Sequence, residues 1–208
     1  MAKTKSKASA KYPARLNIDY QRHLGRWSTL FRIILIIPIA IIATILVGGI
    51  SGGVNTGAGI VGALFIVTLL MILFRQRYPR WWFDFVYALN RFTTRVTAYL
   101  FAITDRYPST EDEQNVHLEL DYPDVKRDLN RWLPLVKWLL AVPHYIVLAF
   151  LYVALVFVVL IGWVATVIMG RYPRPLFDFV VGVLRWTLRV YAYAFLLVTD
   201  RYPPFSLS

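Results

Sequence analysis

Six charged side chains form two equally spaced sets on apolar, aromatic segments, and their types could bind an ion or move a proton. Asp84, Arg91 and Arg95 are spaced at i, i+7 and i+11, which places them within about 40° of one another on a helix. The same spacing recurs at Asp178, Arg185 and Arg189. Two carboxylates that meet across an internal symmetry axis would form a general acid–base pair or a cation site. The simpler interpretation is that each aspartate bonds an arginine of its own repeat or of the other repeat.

The helix that carries each charged set is otherwise apolar, so its position relative to a membrane decides what the charges do. We expect it to lie in the interface with its charged stripe facing water, because an isolated charge at the bilayer centre costs several kcal/mol. A second arrangement buries each stripe against its twin, where aspartate and arginine neutralise one another. In a third, the helix spans the membrane and the two copies are inverted.

Both charged sets belong to a duplicated segment. Residues 77–101 and 171–195 are identical at 15 of 25 positions, at a constant offset of 94 residues. An Arg-Tyr-Pro tag opens each copy and another follows it; the opening tags are Arg77-Tyr78-Pro79 and Arg171-Tyr172-Pro173, and the following tags begin at Arg106 and Arg201. We expect each proline to end one segment or start the next, while arginine and tyrosine lie at lipid head-group depth.

The composition indicates a membrane protein. Of 208 residues, 58% are hydrophobic and only 17% are charged, and the segments 33–74 and 138–170 contain no Asp, Glu, Lys or Arg. The formal net charge of +11 predicts attraction to anionic phospholipid head groups, and no nucleic-acid-binding motif accompanies it. The chain has no cysteine, which excludes thiol catalysis and disulfides.

The predicted fold class is an all-α integral membrane protein built by tandem duplication. Residues 1–12 are predicted to be a disordered basic tail, followed by a first half at 13–109 and a second half at 110–208. Each half should contain a short cytoplasmic β-strand, a transmembrane helical hairpin and an amphipathic interfacial helix. The strands are predicted from strict alternation of apolar and polar residues, and a short strand needs a partner, either the other strand or another chain.

The two apolar runs differ in how well they accommodate a hairpin. A glycine-rich loop at 48–57 divides the first run into spans near 28–48 and 58–75, but the second run has no such loop. Repeat symmetry favours two crossings there, between Leu129 and about Arg171, and the alternative is one long span preceded by a surface helix. All Lys, Arg, Asp and Glu residues would then lie on one side, which predicts a multi-pass protein with both termini cytoplasmic.

The duplicated motif resembles a bacterial membrane domain, DUF4389. The resemblance depends on Arg-Tyr-Pro, then Phe-Asp-Phe-Val, two arginines, Ala-Tyr, and a closing Thr-Asp-Arg-Tyr-Pro, at 77–108 and again at 171–203. The closing motif lies one residue later in the second copy. The resemblance implies two tandem copies and a location in the bacterial inner membrane, and it implies no activity.

The sequence contains no arrangement of residues typical of an enzyme. His23, His117 and His144 lack the spacing of metal ligands, and neither a metal nor a cofactor is predicted. We therefore expect a non-catalytic scaffold, accessory subunit or lipid-organising protein that contacts phospholipid and can also contact protein partners in a membrane complex. A small transporter or channel that uses the Asp/Arg stripes is the alternative, and a lipid-modifying enzyme using Asp84 and Asp178 is a third hypothesis.

Overall fold

The computed structural model describes residues 12–48, 60–110 and 112–208. Two strands and seven helices follow one another in these ranges: β1 Ala14–Ile18, α1 Arg26–Gly48, α2 Ile60–Arg75, α3 Arg80–Leu100, β2 Val116–Leu120, α4 Val125–Asp128, α5 Pro134–Leu140, α6 Val142–Met169 and α7 Arg174–Ala194. Residues 1–11 of the predicted basic tail and most of the glycine-rich loop lie outside the described residues. Tyr12, which was assigned to the disordered tail, is ordered, and its hydroxyl donates to the Arg201 carbonyl at 3.1 Å.

The two predicted strands form and pair with each other. β1 and β2 are antiparallel, and Leu16 lies opposite Leu118 at the centre of the ladder. These two leucines are also equivalent in the alternating pattern, so the ladder is related to itself by a twofold rotation. One apolar side of the ribbon is buried, with β1 against α7 and β2 against α3. A two-stranded ribbon is marginal by itself, and these helices supply the packing that it needs.

The duplicated segments form α3 and α7, and each proline of an opening tag immediately precedes its helix. Pro79 and Pro173 occupy the position before the first helical residue, where the fixed φ of proline is compatible with helix initiation. Each helix buries one side in the main hydrophobic core, with Phe83 and Phe177 at equivalent positions.

The predicted class of an integral membrane protein with a transmembrane hairpin in each half is wrong. Among the helices that the structure describes, one, α6, is long and apolar enough to cross a membrane. At 1.5 Å per residue, the 16 residues of α2 reach about 24 Å, less than the ~30 Å hydrocarbon core. Neither α3 nor α7 qualifies, so the spanning alternative for the duplicated helix gains no support.

The second apolar run forms a short helix, α5, and one long helix, α6, instead of two crossings. Ala141 separates α5 from α6, and Pro143 lies in the first turn of α6, where its missing N–H needs no partner. Beyond that point the run contains no turn-forming cluster of glycine or polar residues, so the helix continues for 28 residues. The repeat symmetry assumed for this run does not hold in its secondary structure.

Helix α6 is not a core helix of the fold. Only 17% of its most apolar 18-residue window is buried inside the protein. Phe150 and Ile168 are 74% and 67% exposed, and exposed apolar side chains also cover parts of α1 and α2. Contiguous exposed apolar surface of this kind marks a protein or membrane interface.

Candidate functional site

Each aspartate of the charged sets forms an ion pair with an arginine of its own half. Arg80 Nε lies 3.4 Å from Asp84 Oδ1, and Arg174 Nε lies 3.5 Å from Asp178 Oδ1. Both pairs join residues four apart on the exposed side of a helix, where such pairs contribute about 0.3–0.5 kcal/mol. The partners are the residues that follow each tag, not the arginines of the stripe. No described contact joins the two aspartates, so the geometry offers no support for a carboxylate pair.

The stripe arginines of the first half bind main-chain oxygens. Arg91 donates to the Thr110 carbonyl at 2.8 Å, and Arg95, which is buried, donates to the Ser109 carbonyl. These bonds hold the chain that follows the closing tag against α3. The arginines therefore serve as local clamps. The N–H groups that make these bonds are already engaged by the protein and do not face a solute path.

The second half repeats this clamp on the segment after its own closing tag. Arg189 donates to the Ser206 carbonyl at 3.3 Å, and Arg185 donates to the Leu207 carbonyl at 3.5 Å. Arg185 also donates to the Leu16 carbonyl in β1 at 3.0 Å. This last bond links the second half to the strand of the first.

The tyrosines of the opening tags are buried inside the protein and meet the other half. Tyr20, which follows β1, donates its hydroxyl to the Tyr172 carbonyl at 2.6 Å, and Tyr122, which follows β2, donates to the Tyr78 carbonyl. The Arg174 guanidinium lies 4.7 Å from the centre of the Tyr20 ring. The tyrosine that follows each strand therefore binds the opening tag of the other half. In this sense the strands are exchanged between the two halves.

The structure also reveals a buried ion pair in the second half that the sequence analysis did not identify. Lys137 is fully buried, and its Nζ lies 2.6 Å from Asp200 Oδ1 and donates to the Thr199 carbonyl at 2.8 Å. Tyr193 places its ring 5.3 Å from the same ammonium. Burial lowers the pKa of Lys137, and hydrogen bonding to Asp200 opposes that shift by favouring the charged form.

The first half contains the same arrangement with arginine. Arg32 is fully buried, pairs with Asp105, and donates to the Thr104 carbonyl at 2.9 Å. Its guanidinium lies 4.5 Å from the centre of the Tyr99 ring. The sequence did carry a signal for both pairs, since a basic residue stands six positions after each Arg-Trp and a Thr-Asp precedes each closing tag. Only the folded structure shows that these two motifs meet.

Two basic grooves lie where the halves meet, at equivalent places. The larger, about 840 Å³, lies at the end of α2 and is lined by Arg75 and Arg77 from the first half and by Tyr122 and Lys126 from the second. The cations are exposed, and none has a described carboxylate within ion-pair distance. We call this groove A.

Groove B, about 590 Å³, lies at the end of α6. Arg171 and Gly170 of the second half line it together with Tyr20, Arg22 and His23 of the first half. In sequence, Arg171 corresponds to Arg77 and Tyr20 to Tyr122. Four of the predicted site residues, all three residues of the first opening tag and the arginine of the second, therefore line these grooves. The arginines of the closing tags do not.

Comparison with known families identifies part of the chain. Residues 132–206 match the family described as Domain of unknown function (DUF4389). The chain contains a DUF4389 domain. The match covers α5 to α7, the closing tag and the Lys137–Asp200 pair, and it confirms the resemblance seen in the second half. The matching copy in the first half stays a prediction, which the equivalent contacts of Arg32 and Asp105 support. No curated protein and no solved structure matches the chain.

The residues that directly follow α2 and α6 adopt a left-handed backbone conformation. This observation leads to a prediction about stability. Gln76 has φ of 45° and the equivalent Gly170 has φ of 70°. A non-glycine residue pays ~1–2 kcal/mol there, partly offset by the ~0.5–1 kcal/mol entropic cost of glycine. We expect Gln76→Gly to raise the free energy of unfolding by about 0.5 kcal/mol in a detergent unfolding titration. Gln76→Ala, which keeps the Cβ, is the control, and an equal gain in both variants would contradict the explanation.

Proposed function

We propose that this protein is a non-catalytic, membrane-associated protein that binds anionic phospholipid head groups in grooves A and B. By holding lipid at two equivalent sites it would organise lipid or support a protein assembly at the membrane. The observation that carries this proposal is the position of the grooves, where exposed apolar helices end in unpaired cations. Phe74, near the end of α2 beside groove A, is 69% exposed, and Met169 of α6 lines groove B.

This arrangement suits the two parts of a phospholipid. The exposed apolar side chains of α2 and α6 offer a surface for acyl chains, and the arginines just beyond them reach head-group depth. Each basic residue near an anionic surface is worth about 1 kcal/mol. Asp124, the acidic residue that lines groove A, already lies 3.8 Å from Arg127, so it opposes a bound phosphate only weakly.

The proposed location is the bacterial inner membrane, with the grooves on its cytoplasmic side. The cytoplasmic surface of the membrane carries anionic lipid, and the formal net charge of +11 favours that surface. In this arrangement α6 supplies the inserted apolar segment, and the exposed apolar faces of α1 and α2 also contact lipid. The tandem duplication accounts for the presence of two equivalent grooves.

The proposed role is non-catalytic because the charged groups that occur at equivalent positions in both halves stabilise the fold. Arg95 and Arg189 bind main-chain carbonyls, and the buried cations Arg32 and Lys137 bind the aspartates and carbonyls of the closing tags. Groups engaged in this way are not poised to receive a proton from a substrate.

The test is binding of the purified protein to vesicles. We expect stronger binding to phosphatidylcholine vesicles that contain phosphatidylglycerol than to phosphatidylcholine alone, measured by flotation at several salt concentrations. The double variant Arg77→Gln/Arg171→Gln removes one cation from each groove. At about 1 kcal/mol per cation, its affinity for anionic vesicles should fall about 30-fold, with binding to neutral vesicles unchanged.

The matched control removes two arginines outside the grooves. Arg106→Gln/Arg201→Gln causes the same change in net charge at exposed positions of the closing tags, which line neither groove. It should weaken anionic binding much less than the groove variant. Equal losses in both variants, or equal binding of the native protein to neutral and anionic vesicles, would contradict the proposal.

A further inference from the structure

The aromatic ring of Phe205, which is 54% exposed, partly covers a site in the second half, whereas no described residue covers the equivalent groove in the first half. The Phe205 ring stacks on His144 with 3.9 Å between ring centres, and Trp186 lies 5.7 Å away. Tyr202 closes the same cluster at 4.8 Å from His144. Leu207 packs against the buried residues beside it. The chain that follows the closing tag therefore covers this part of α6 and α7.

The equivalent place between α1 and α3 is lined by similar walls but holds no ring. Ile39 corresponds to His144, Phe92 to Trp186, and Tyr107 to Tyr202. These three residues, with Phe85, Leu89 and Thr110, line an apolar groove of about 600 Å³. We call it groove C. Its walls present three aromatic rings and aliphatic carbon, which favour an added ring by edge or stacked contact.

The difference follows from two extra residues in the second half. The arginine clamps identify equivalent positions, because Arg95 and Arg189 bind the carbonyls of Ser109 and Ser206. In the first half Ser109 follows the closing-tag proline directly. In the second half Pro204 and Phe205 stand between that proline and the clamped serine. The first half is clamped in the same way but lacks the residue that would fill the groove.

We propose that groove C binds an aromatic side chain of a partner polypeptide, presented by an extended proline-containing segment similar to residues 203–207. Phe205 shows that the equivalent site of the second half, which has His144 where groove C has Ile39, accepts an aromatic ring. The segment that clamps to Arg91 and Arg95 is already in place, so the partner supplies the ring and not the main-chain contacts. This protein–protein site is separate from grooves A and B and does not depend on lipid binding.

The probe is the octapeptide RYPPFSLS, residues 201–208 of this chain, labelled with a fluorophore. We expect saturable binding to the full chain in phosphatidylcholine nanodiscs, measured by fluorescence anisotropy. The same peptide with alanine in place of phenylalanine should bind at least tenfold more weakly, because the ring supplies the buried area.

Two variants test whether the binding occurs at groove C. Inserting Pro-Phe between Pro108 and Ser109 copies the second half and should fill the groove, which would reduce peptide affinity at least tenfold. Thr110→Phe places a ring at the groove wall without changing the main-chain carbonyl that Arg91 binds, and it should have the same effect. Using both variants separates occlusion of the groove from a folding defect in either one.

Three results would overturn the proposal. The first is equal binding of the phenylalanine and alanine peptides, and the second is unchanged affinity in both filled variants, which would place the peptide elsewhere, for example at the position of Phe205. The third is quenching of a fluorophore at Thr110→Cys by a short-chain lipid but not by the peptide, which would assign groove C to an acyl chain.

Discussion

Replacing Lys137 by methionine is expected to lower the free energy of unfolding by about 3–5 kcal/mol, because it leaves the carboxylate of Asp200, which is only 20% exposed, without its cation. Lys137 is fully buried, and Asp200 and the Thr199 carbonyl are its polar partners. Methionine keeps most of the length and the apolar stem, so the loss reports the charge together with the hydrogen bonds that the ammonium donates. The measurement is a denaturant titration in mild detergent followed by tryptophan fluorescence.

A double variant separates the pair from its surroundings. Lys137→Met/Asp200→Asn removes both charges and should recover part of the lost stability, since a buried pair replaced as a whole is often close to neutral. Lys126→Met removes one exposed cation and should change stability by less than about 0.5 kcal/mol. A loss below about 1 kcal/mol for Lys137→Met would show that the pair does not hold the closing tag in place.

The same reasoning extends to the first half. Arg32 makes more bonds than Lys137, because it donates to two main-chain carbonyls as well as pairing with Asp105. Arg32→Met should therefore destabilise the protein at least as strongly. If only one of the two variants were destabilising, the equivalence of the two halves in this contact would be contradicted.

The second large effect is expected from adding a single methyl group at Gly162. A Cβ at this position would lie 2.1 Å from the Tyr172 ring, and Tyr172 is buried at the tag that opens α7. Overpacking of this kind typically costs ~1–3 kcal/mol. Gly→Ala at a free helical position would instead stabilise by about 0.5–1 kcal/mol. Gly162→Ala is thus expected to lower the free energy of unfolding, although alanine has the higher helix propensity.

The partner change in this test is Tyr172→Leu. The double variant Gly162→Ala/Tyr172→Leu should be less destabilised than the sum of the two single variants, because the smaller side chain relieves the overlap. The control is Val164→Ala on the exposed side of the same helix, which should be near neutral. A stabilising Gly162→Ala would show that Tyr172 moves away at little cost.

These contacts explain why the two halves form one fold. Tyr20 and Tyr122 each bind the tag of the other half, Leu24 donates to the Gly170 carbonyl at 2.9 Å, and Arg131 donates to the Leu73 carbonyl at 2.6 Å. Each half therefore lacks part of its packing without the other. Grooves A and B arise only because the halves are exchanged in this way.

Several features of the fold were predictable because they depend on neighbouring residues. The alternation at β1 and β2 and the 3.6-residue periodicity at α3 and α7 predicted those elements, and the tag prolines predicted where α3 and α7 begin. The division of the second run into a short helix and one long helix was only the alternative prediction, because repeat symmetry was given more weight than the lack of turn residues in that run. The number of membrane crossings was overestimated for the same reason.

The sequence by itself determined the class of local element, the duplicated pattern and the apolar, basic composition. Only the tertiary structure decided which residues act together: that Arg32 and Lys137 meet the aspartates of the closing tags, that Asp84 and Asp178 pair with Arg80 and Arg174, and that the strands are exchanged. Periodicity and turn chemistry depend on a few neighbouring residues and can be read from the sequence alone. The partners of a buried charge lie 60 or more residues away along the chain, and they are selected by packing and by the cost of leaving that charge unpaired.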